Sequence, residues 1–209
     1  MRFACVFASI LLALAALPAS AAPAPTPGSA PDAARGRVLA TTCVFCHGIE
    51  DYTVPYPTMH VPRVGGQHEQ YIVAALKEYA SGDRDFATMH AQAQSLTPRQ
   101  MRDIAAWFAS FAPTPAPTNG SASAPAFAAS CASCHGARGV STNPQYPSLA
   151  GQYPDYLLQA LKEYKSGKRK NAVMNGMASS LSLAQMQQLA HYFGNQPKAV
   201  RILPHAGPH

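Results

Sequence analysis

Two copies of a five-residue motif, Cys-x-x-Cys-His, are the residues of this chain whose types and spacing could do chemistry. Two thiols three residues apart can form thioether bonds to both vinyl groups of one porphyrin, and the adjoining histidine then reaches the iron. The pair of motifs therefore predicts two covalently bound haem c groups. The predicted attachment residues are Cys43, Cys46, Cys131 and Cys134, and the predicted axial ligands are His47 and His135.

A redox dithiol, a zinc site and disulfides are the other readings of paired cysteines. They fit poorly, because the histidine recurs in both motifs and no further cysteine pair exists to complete a zinc ribbon. The fifth cysteine, Cys5, lies near the N-terminus within an apolar run. That run follows a single positive charge and ends at an Ala-x-Ala site, which predicts a signal peptide over residues 1–21.

Export to the periplasm follows from that signal and suits haem c, which is attached outside the bacterial inner membrane. The apolar run is too short for a comfortable membrane span, so any membrane association would be peripheral. Residues 22–30 are rich in Pro and Ala and are expected to be disordered. No spare thiol remains in the mature chain for use as a ligand or nucleophile.

Charge is distributed unevenly along the mature chain. Residues 22–113 carry seven basic and eight acidic side chains, whereas residues 114–209 carry eight basic and two acidic ones. Basic and aromatic residues do not interleave in a cluster, so we predict no nucleic-acid partner. A basic surface near the second haem is expected instead, suited to an acidic protein. It is formed by Lys162, Lys165, Lys168, Arg169 and Lys170.

The chain is an internal repeat. An offset of 85 residues aligns Leu76-Lys77-Glu78-Tyr79 with Leu161-Lys162-Glu163-Tyr164, and a period of this length predicts tandem domains. The offset is 88 at the haem motifs, so the first copy holds three extra residues between His47 and Pro62, expected as a surface loop over the first haem.

Each copy reads as helical. Apolar positions recur every three or four residues and stop at Gly82 or Gly167, and capping boxes begin at Thr97 and Ser182. The predicted fold is all-α, with two tandem haem-binding domains joined by a Pro/Ala-rich linker. The boundaries are 31–111 for the first domain, 112–125 for the linker, 126–198 for the second domain and 199–209 for a C-terminal tail.

The ligand on the opposite face of each iron decides whether the protein carries electrons or binds another molecule. Met89 and Met174 occupy matching positions in the two copies, in what is expected to be a loop, and are the predicted ligands. Met177 is a weaker candidate for the ligand, because its counterpart in the first copy is Gln92. Rival side chains in the first domain are His90, Met59, His60 and His68.

These motifs resemble the dihaem cytochrome c4 family of tandem class I cytochrome c domains, over nearly all of the mature chain. The shared pattern is Cys-x-x-Cys-His-Gly, Pro-x-x-x-Gly-Gln, Lys-Glu-Tyr-x-Ser-Gly-x-Arg and a methionine seven residues before a Leu-Ser or Leu-Thr pair. The resemblance again selects Met89 and Met174. It implies that the carbonyls of Pro62 and Pro147 orient the axial histidines. It also makes propionate contacts candidates at Tyr71, Tyr156, Arg84 and Arg169.

The family implies a periplasmic electron carrier between a quinol-oxidising complex or a dehydrogenase and a terminal oxidase. The alternative is a subunit docked permanently on one dehydrogenase, such as a flavoprotein sulfide dehydrogenase. An enzyme, such as a dihaem peroxidase or a thiosulfate-oxidising cytochrome, fits less well, because paired methionines would close both irons. We therefore expect redox proteins as partners and no bond-making chemistry in a substrate.

Overall fold

The structure is a computed structural model that describes residues 30–111 and 123–204. The predicted signal peptide, nearly all of the predicted disordered segment and most of the predicted linker lie outside these residues. The described chain from Pro31 onward belongs to one compact unit. No helix in these two ranges is long and apolar enough to cross a membrane.

The first domain is built from five helices and one hairpin within residues 30–111. Helix α3 ends at Gly82 in a left-handed conformation, and α5 begins with the capping box of Thr97 and Gln100, both as the sequence predicts. The elements are α1 (Ala33–Leu39), α2 (Thr41–His47), β1 (Thr53–Pro55), β2 (Thr58–His60), α3 (Glu69–Ser81), α4 (Ala87–Ala93) and α5 (Pro98–Ala109).

Helices α1 and α5 cross in close contact, which closes the first domain. A Cβ added at Gly36 would lie 1.9 Å from the carbonyl oxygen of Asp103, so only glycine permits this approach. The fully buried Asp103 carboxylate accepts hydrogen bonds from the Asp32 amide and from the Arg35 and Arg99 guanidiniums. Apolar residues of α3 and α5, among them Ile72, Leu76, Ile104 and Trp107, form the core beneath this crossing.

The second domain repeats the plan with fewer elements. A short 3₁₀ turn, Ala126–Ala128, stands where the first domain has α1, because only residues 126–130 separate Pro125 from the second haem motif. Its core is correspondingly smaller and includes Leu157, Leu189 and Phe193. The helices are α6 (Ala129–His135), α7 (Pro154–Ser166), α8 (Ala172–Ser179) and α9 (Leu183–Gly194).

The three-residue insertion of the first domain forms regular structure, where we expected a surface loop. It lies in the segment that forms the β1–β2 hairpin, the one exception to the all-helical prediction among the described residues. The His60 amide and its Nδ1 atom both bond one carboxylate oxygen of Asp155 at the start of α7, at 3.0 and 2.7 Å. The His60 ring stacks on Tyr153, with centroids 4.4 Å apart. The hairpin therefore extends the contact between the domains.

The domains meet through hydrogen bonds related by the repeat. The Gln67 side chain accepts from the Ser148 amide and donates to the Ser148 carbonyl, both at 2.9 Å. Its counterpart Gln152 makes the same two bonds with Arg63, at 2.9 and 2.8 Å. In the repeat, Gln67 corresponds to Gln152 and Arg63 corresponds to Ser148. Each pair of bonds therefore repeats the other with the two domains exchanged, so the interface has approximate twofold symmetry.

The segment predicted as a C-terminal tail over 199–209 returns to the first domain at Arg201 and Leu203. Gly65 and Arg201 exchange two backbone hydrogen bonds of 2.9 Å, and the Leu203 amide donates to the His47 carbonyl at 2.8 Å. Leu203 is fully buried in the core of the first domain. Along this segment Arg201 is exposed and Leu203 is buried, as expected for a segment that packs one side against the domain. The sequence did not indicate this packing, because the segment is short and rich in His, Gly and Pro.

Candidate haem sites

Both Cys-x-x-Cys-His motifs lie on short helices, α2 and α6, whose last residue is the histidine. The four cysteines are half-buried, and none of them forms a disulfide within the described residues. Burial raises the pKa of Cys43 to about 11 and also raises the pKa of Cys131. A raised pKa is the opposite of the lowered pKa that activates the thiolate of a redox dithiol.

The two histidines are buried and held in one orientation. The Nδ1–H of His47 donates to the Pro62 carbonyl at 2.8 Å, and that of His135 donates to the Pro147 carbonyl at the same distance. A carbonyl can only accept, so Nδ1 carries the proton and Nε2 keeps a lone pair for a metal. Burial lowers the pKa of both imidazoles, which keeps them neutral. The proline contacts that the resemblance implies are thus present.

Met89 and Met174 lie on helices α4 and α8, not in the loop that we expected. The Asn171 side chain caps α8 by accepting from the Met174 amide at 3.0 Å, whereas no side chain caps α4, which follows Phe86. Sequence periodicity missed both helices because they are only seven and eight residues long. Both methionine side chains are half-buried.

Two of the rival side chains of the first domain, His60 and His68, are engaged in contacts with the second domain. His60 bonds Asp155, and His68 Nε2 bonds the Ser141 carbonyl at 3.0 Å, so both serve the domain interface. His90 Nδ1 bonds the Tyr79 carbonyl at 2.8 Å. Met59 is buried on β2.

The four candidate propionate contacts come together where the domains meet. The Arg84 guanidinium donates to the Tyr156 hydroxyl at 2.6 Å, and the Arg169 guanidinium donates to the Tyr71 hydroxyl at 2.9 Å. Each arginine also lies over the tyrosine of its own Lys-Glu-Tyr helix, at 4.3 Å from the Tyr79 ring and 4.5 Å from the Tyr164 ring. The sequence singles out these residues but does not show that each bond crosses between domains.

This cluster has the chemistry of an anion site. Arg84 and Arg169 are 5 % and 3 % exposed, and neither forms an ion pair with a carboxylate in residues 30–111 and 123–204. The Arg169 Nε is buried with no hydrogen-bond partner. Burial would raise the pKa of Tyr71, but the two guanidiniums lower it. Two buried cations with no carboxylate at ion-pair distance in the described residues fit the propionates of haem.

The basic segment differs from the expected surface in two members. Arg169 belongs to the buried cluster just described, and Lys170 pairs across the domains with Asp83 at 3.1 Å. The backbones of the two segments also bond each other, from Lys170 to Asp83 at 2.8 Å and from Asp85 to Lys168 at 3.1 Å. Lys162, Lys165 and Lys168 remain exposed.

Reasoning from the sequence missed three interface residues as functional positions. Gln67 and Gln152 were visible as a repeated Gly-Gln pair, but a repeat marks equivalent positions without showing what they touch. Tyr153 was missed as well. Its ring lies between His60 and the Arg63 guanidinium, which is 3.6 Å from the ring centroid.

Known proteins resemble both halves of the chain. A family model described as cytochrome c matches residues 33–112 and 121–196. Cytochrome c-552 of Acidithiobacillus ferridurans is 32 % identical over 80 % of this chain and 79 % of its own length. A thiosulfate dehydrogenase electron acceptor of Thiomonas intermedia is 30 % identical over 85 % of each chain. Cytochrome c4 of Pseudomonas aeruginosa is 28 % identical over 78 % of this chain and 88 % of its own.

Solved structures agree with these relatives. Cytochrome c4 of Acidithiobacillus ferrooxidans matches with a TM-score of 0.58 and 31 % identity, over 74 % of this chain and 98 % of its own. Reduced cytochrome c4 from Pseudomonas stutzeri matches with a TM-score of 0.64 and 26 % identity, over 80 % of this chain and all of its own. The predicted fold class, the two covalent haem c groups and a role in electron transfer are thereby confirmed. The chain belongs to the cytochrome c family, as a dihaem member of the cytochrome c4 type.

Proposed function

We propose that this protein is a periplasmic carrier that takes one electron per haem from a quinol-oxidising complex or a dehydrogenase and passes it to a terminal oxidase. Haem supplies the redox change when bound. The chain supplies fixed ligands and a protected route between its two halves. The observation that carries the proposal is the buried cluster of Arg84, Arg169, Tyr71 and Tyr156.

The proposed axial ligands are His47 with Met89 and His135 with Met174. The fixed tautomers of both histidines and the engagement of His60 and His68 at the domain interface support this set. A thioether ligand favours ferrous iron and fills the sixth position, which suits a carrier and disfavours substrate binding. The four interface residues would hold the propionates, so that both haems lie against the same contact.

A dehydrogenase as the electron donor has specific support, since one relative is named as the electron acceptor of thiosulfate dehydrogenase. The second candidate function is therefore a dedicated acceptor or subunit of such an enzyme. Purification of the tagged protein from its native cells separates the two. A free carrier elutes alone, whereas a subunit elutes with a catalytic chain.

The carrier function is tested with purified holoprotein. Thiosulfate with a thiosulfate dehydrogenase, or quinol with membranes, should reduce both haems, and oxidase-containing membranes should reoxidise them in repeated cycles. Failure of the oxidase to accept electrons from the reduced protein would contradict the carrier role. Export is tested by N-terminal sequencing of the mature protein, which should begin at Ala22.

A further inference from the structure

The residue that follows each candidate methionine ligand makes the same contact in both domains. His90 Nδ1 donates to the Tyr79 carbonyl at 2.8 Å. Asn175, its counterpart in the repeat, donates from its amide to the Tyr164 carbonyl at 2.5 Å. The tyrosines are themselves counterparts, at the C-terminal ends of α3 and α7. The feature that the His90 imidazole and the Asn175 carboxamide have in common is an N–H donor at hydrogen-bond distance from the tyrosine carbonyl.

We infer that His90 and Asn175 are positioning residues that hold the methionine-bearing helices α4 and α8 in place. The inference rests on the proposed ligation by Met89 and Met174. Helices of seven and eight residues are marginal by themselves and depend on contacts with the rest of the fold. In each short helix, the residue after the proposed methionine ligand makes a hydrogen bond to the C-terminal end of a longer helix.

The acceptor carbonyls are suited to this role. Each lies in the last turn of its helix, where carbonyls lack intrahelical partners, and already accepts from a glycine amide, Gly82 at 3.3 Å or Gly167 at 3.2 Å. A second donor uses the other lone pair. Tyr79 is buried beneath the Arg84 guanidinium, so the tie ends on a part of the fold that is itself fixed.

The two ties differ in strength. Asn175 makes further bonds, to the Arg169 carbonyl at 2.9 Å and from the Asn171 amide at 2.7 Å, and Asn171 caps the helix. The corresponding position to Asn171 in the first domain is Phe86, which packs in the core and offers no cap. Helix α4 has one other side-chain bond to a neighbouring helix, the exposed 3.3 Å bond from the Thr42 hydroxyl to the Gln92 side chain. The His90 bond is shorter and part-buried, so Met89 should depend on it more than Met174 depends on Asn175.

The test measures how readily imidazole in solution displaces each methionine from ferric haem in the holoprotein. Haem one is identified as the site altered by Met89→His. His90→Ala should raise the apparent imidazole affinity of haem one roughly fivefold, as expected for the loss of one hydrogen bond, and should lower its potential. His90→Asn keeps an N–H donor and should restore both properties, while haem two stays unchanged throughout.

Asn175→Ala provides a second, independent measurement, and should change haem two alone. Equal imidazole affinities in wild type, His90→Ala and Asn175→Ala would overturn the inference. So would a His90→Asn protein that behaves like His90→Ala. Failure of the ligation itself is distinguishable, because wild-type ferric protein would then lack the weak far-red absorption band of an iron–thioether bond at one or both haems.

Discussion

The Arg84 guanidinium of the first domain donates a 2.6 Å hydrogen bond to the Tyr156 hydroxyl of the second, and the repeat-related pair, Arg169 and Tyr71, makes the reciprocal bond at 2.9 Å. Neither pair exists within a single domain. The cluster therefore forms only when the two domains are in contact. The residues that we propose for the propionates are the same residues that hold the domains together.

Tyr156→Phe is expected to destabilise the protein by about 1–3 kcal/mol, because it removes a partner from a buried guanidinium. Tyr71→Phe should have a similar effect through Arg169. Tyr56→Phe, at an 89 % exposed position, is the matched control and should leave stability unchanged. Denaturant unfolding followed by haem absorbance measures all three. An equal midpoint for Tyr156→Phe and the control would show that the interface bond is dispensable.

Methionine ligation predicts a far-red iron–thioether band in the ferric protein with contributions from two low-spin haems. Met89→His and Met174→His should each remove about half of that band and lower one of the two potentials, since imidazole favours ferric iron more than a thioether does. Met177→His is the control, because that side chain is 36 % exposed and has no methionine counterpart in the first domain. A band left intact in Met89→His would disprove that assignment.

Leu203→Ala should destabilise the first domain by about 2–5 kcal/mol, the usual cost of deleting a fully buried leucine side chain. Arg201→Ala serves as control. The backbone of Arg201, not its exposed side chain, makes the bonds to Gly65, so stability should change by less than about 0.5 kcal/mol. Denaturant midpoints of the two variants should differ clearly. Similar midpoints would mean that the C-terminal segment is not part of the first domain's core.

Sequence patterns were sufficient for the haem motifs, the long helices and their caps, because each depends on residues close together in the chain. The interface was not accessible in the same way. Gln67 and Gln152 are equivalent by repeat, yet equivalence does not show that each faces the other domain. The sequence analysis missed the short helix α4 for a different reason. Seven residues are too few to show a clear apolar periodicity, and the contact of His90 with Tyr79 that holds the helix does not appear in such a pattern.

Acid should weaken the first domain through Asp103. Burial opposes its ionisation, but the Asp32 amide and the Arg35 and Arg99 guanidiniums lower the net pKa below the usual value. A carboxyl with a lowered folded-state pKa stabilises above its unfolded pKa of about 4, and that stabilisation is lost as the pH falls through the folded pKa. The loss of stability between pH 7 and pH 3 should therefore be smaller in Asp103→Asn. The counterpart, Gln188, is exposed and cannot titrate, so Gln188→Ala is the control.

An acidic redox partner should dock on the exposed lysines at the end of α7. The exposed lysines are Lys162, Lys165 and Lys168. Lys170 is paired with Asp83, and Arg169 is buried at the domain interface. Electrostatic steering raises the encounter rate at low ionic strength and fades with salt.

Reversal of Lys162, Lys165 and Lys168 to Glu should slow electron transfer to the oxidase at low salt and flatten its salt dependence, with haem spectra unchanged. Reversal of Arg37 and Lys77, both exposed in the first domain, is the charge control, and reversal of Lys162 and Lys165 alone matches it in number. Because Arg37 and Lys77 belong to a domain with no net basic excess, their reversal should leave the salt slope near that of wild type. If both sets of reversals change the rate and the slope alike, the partner senses only the net charge of the protein, and α7 is not its docking surface.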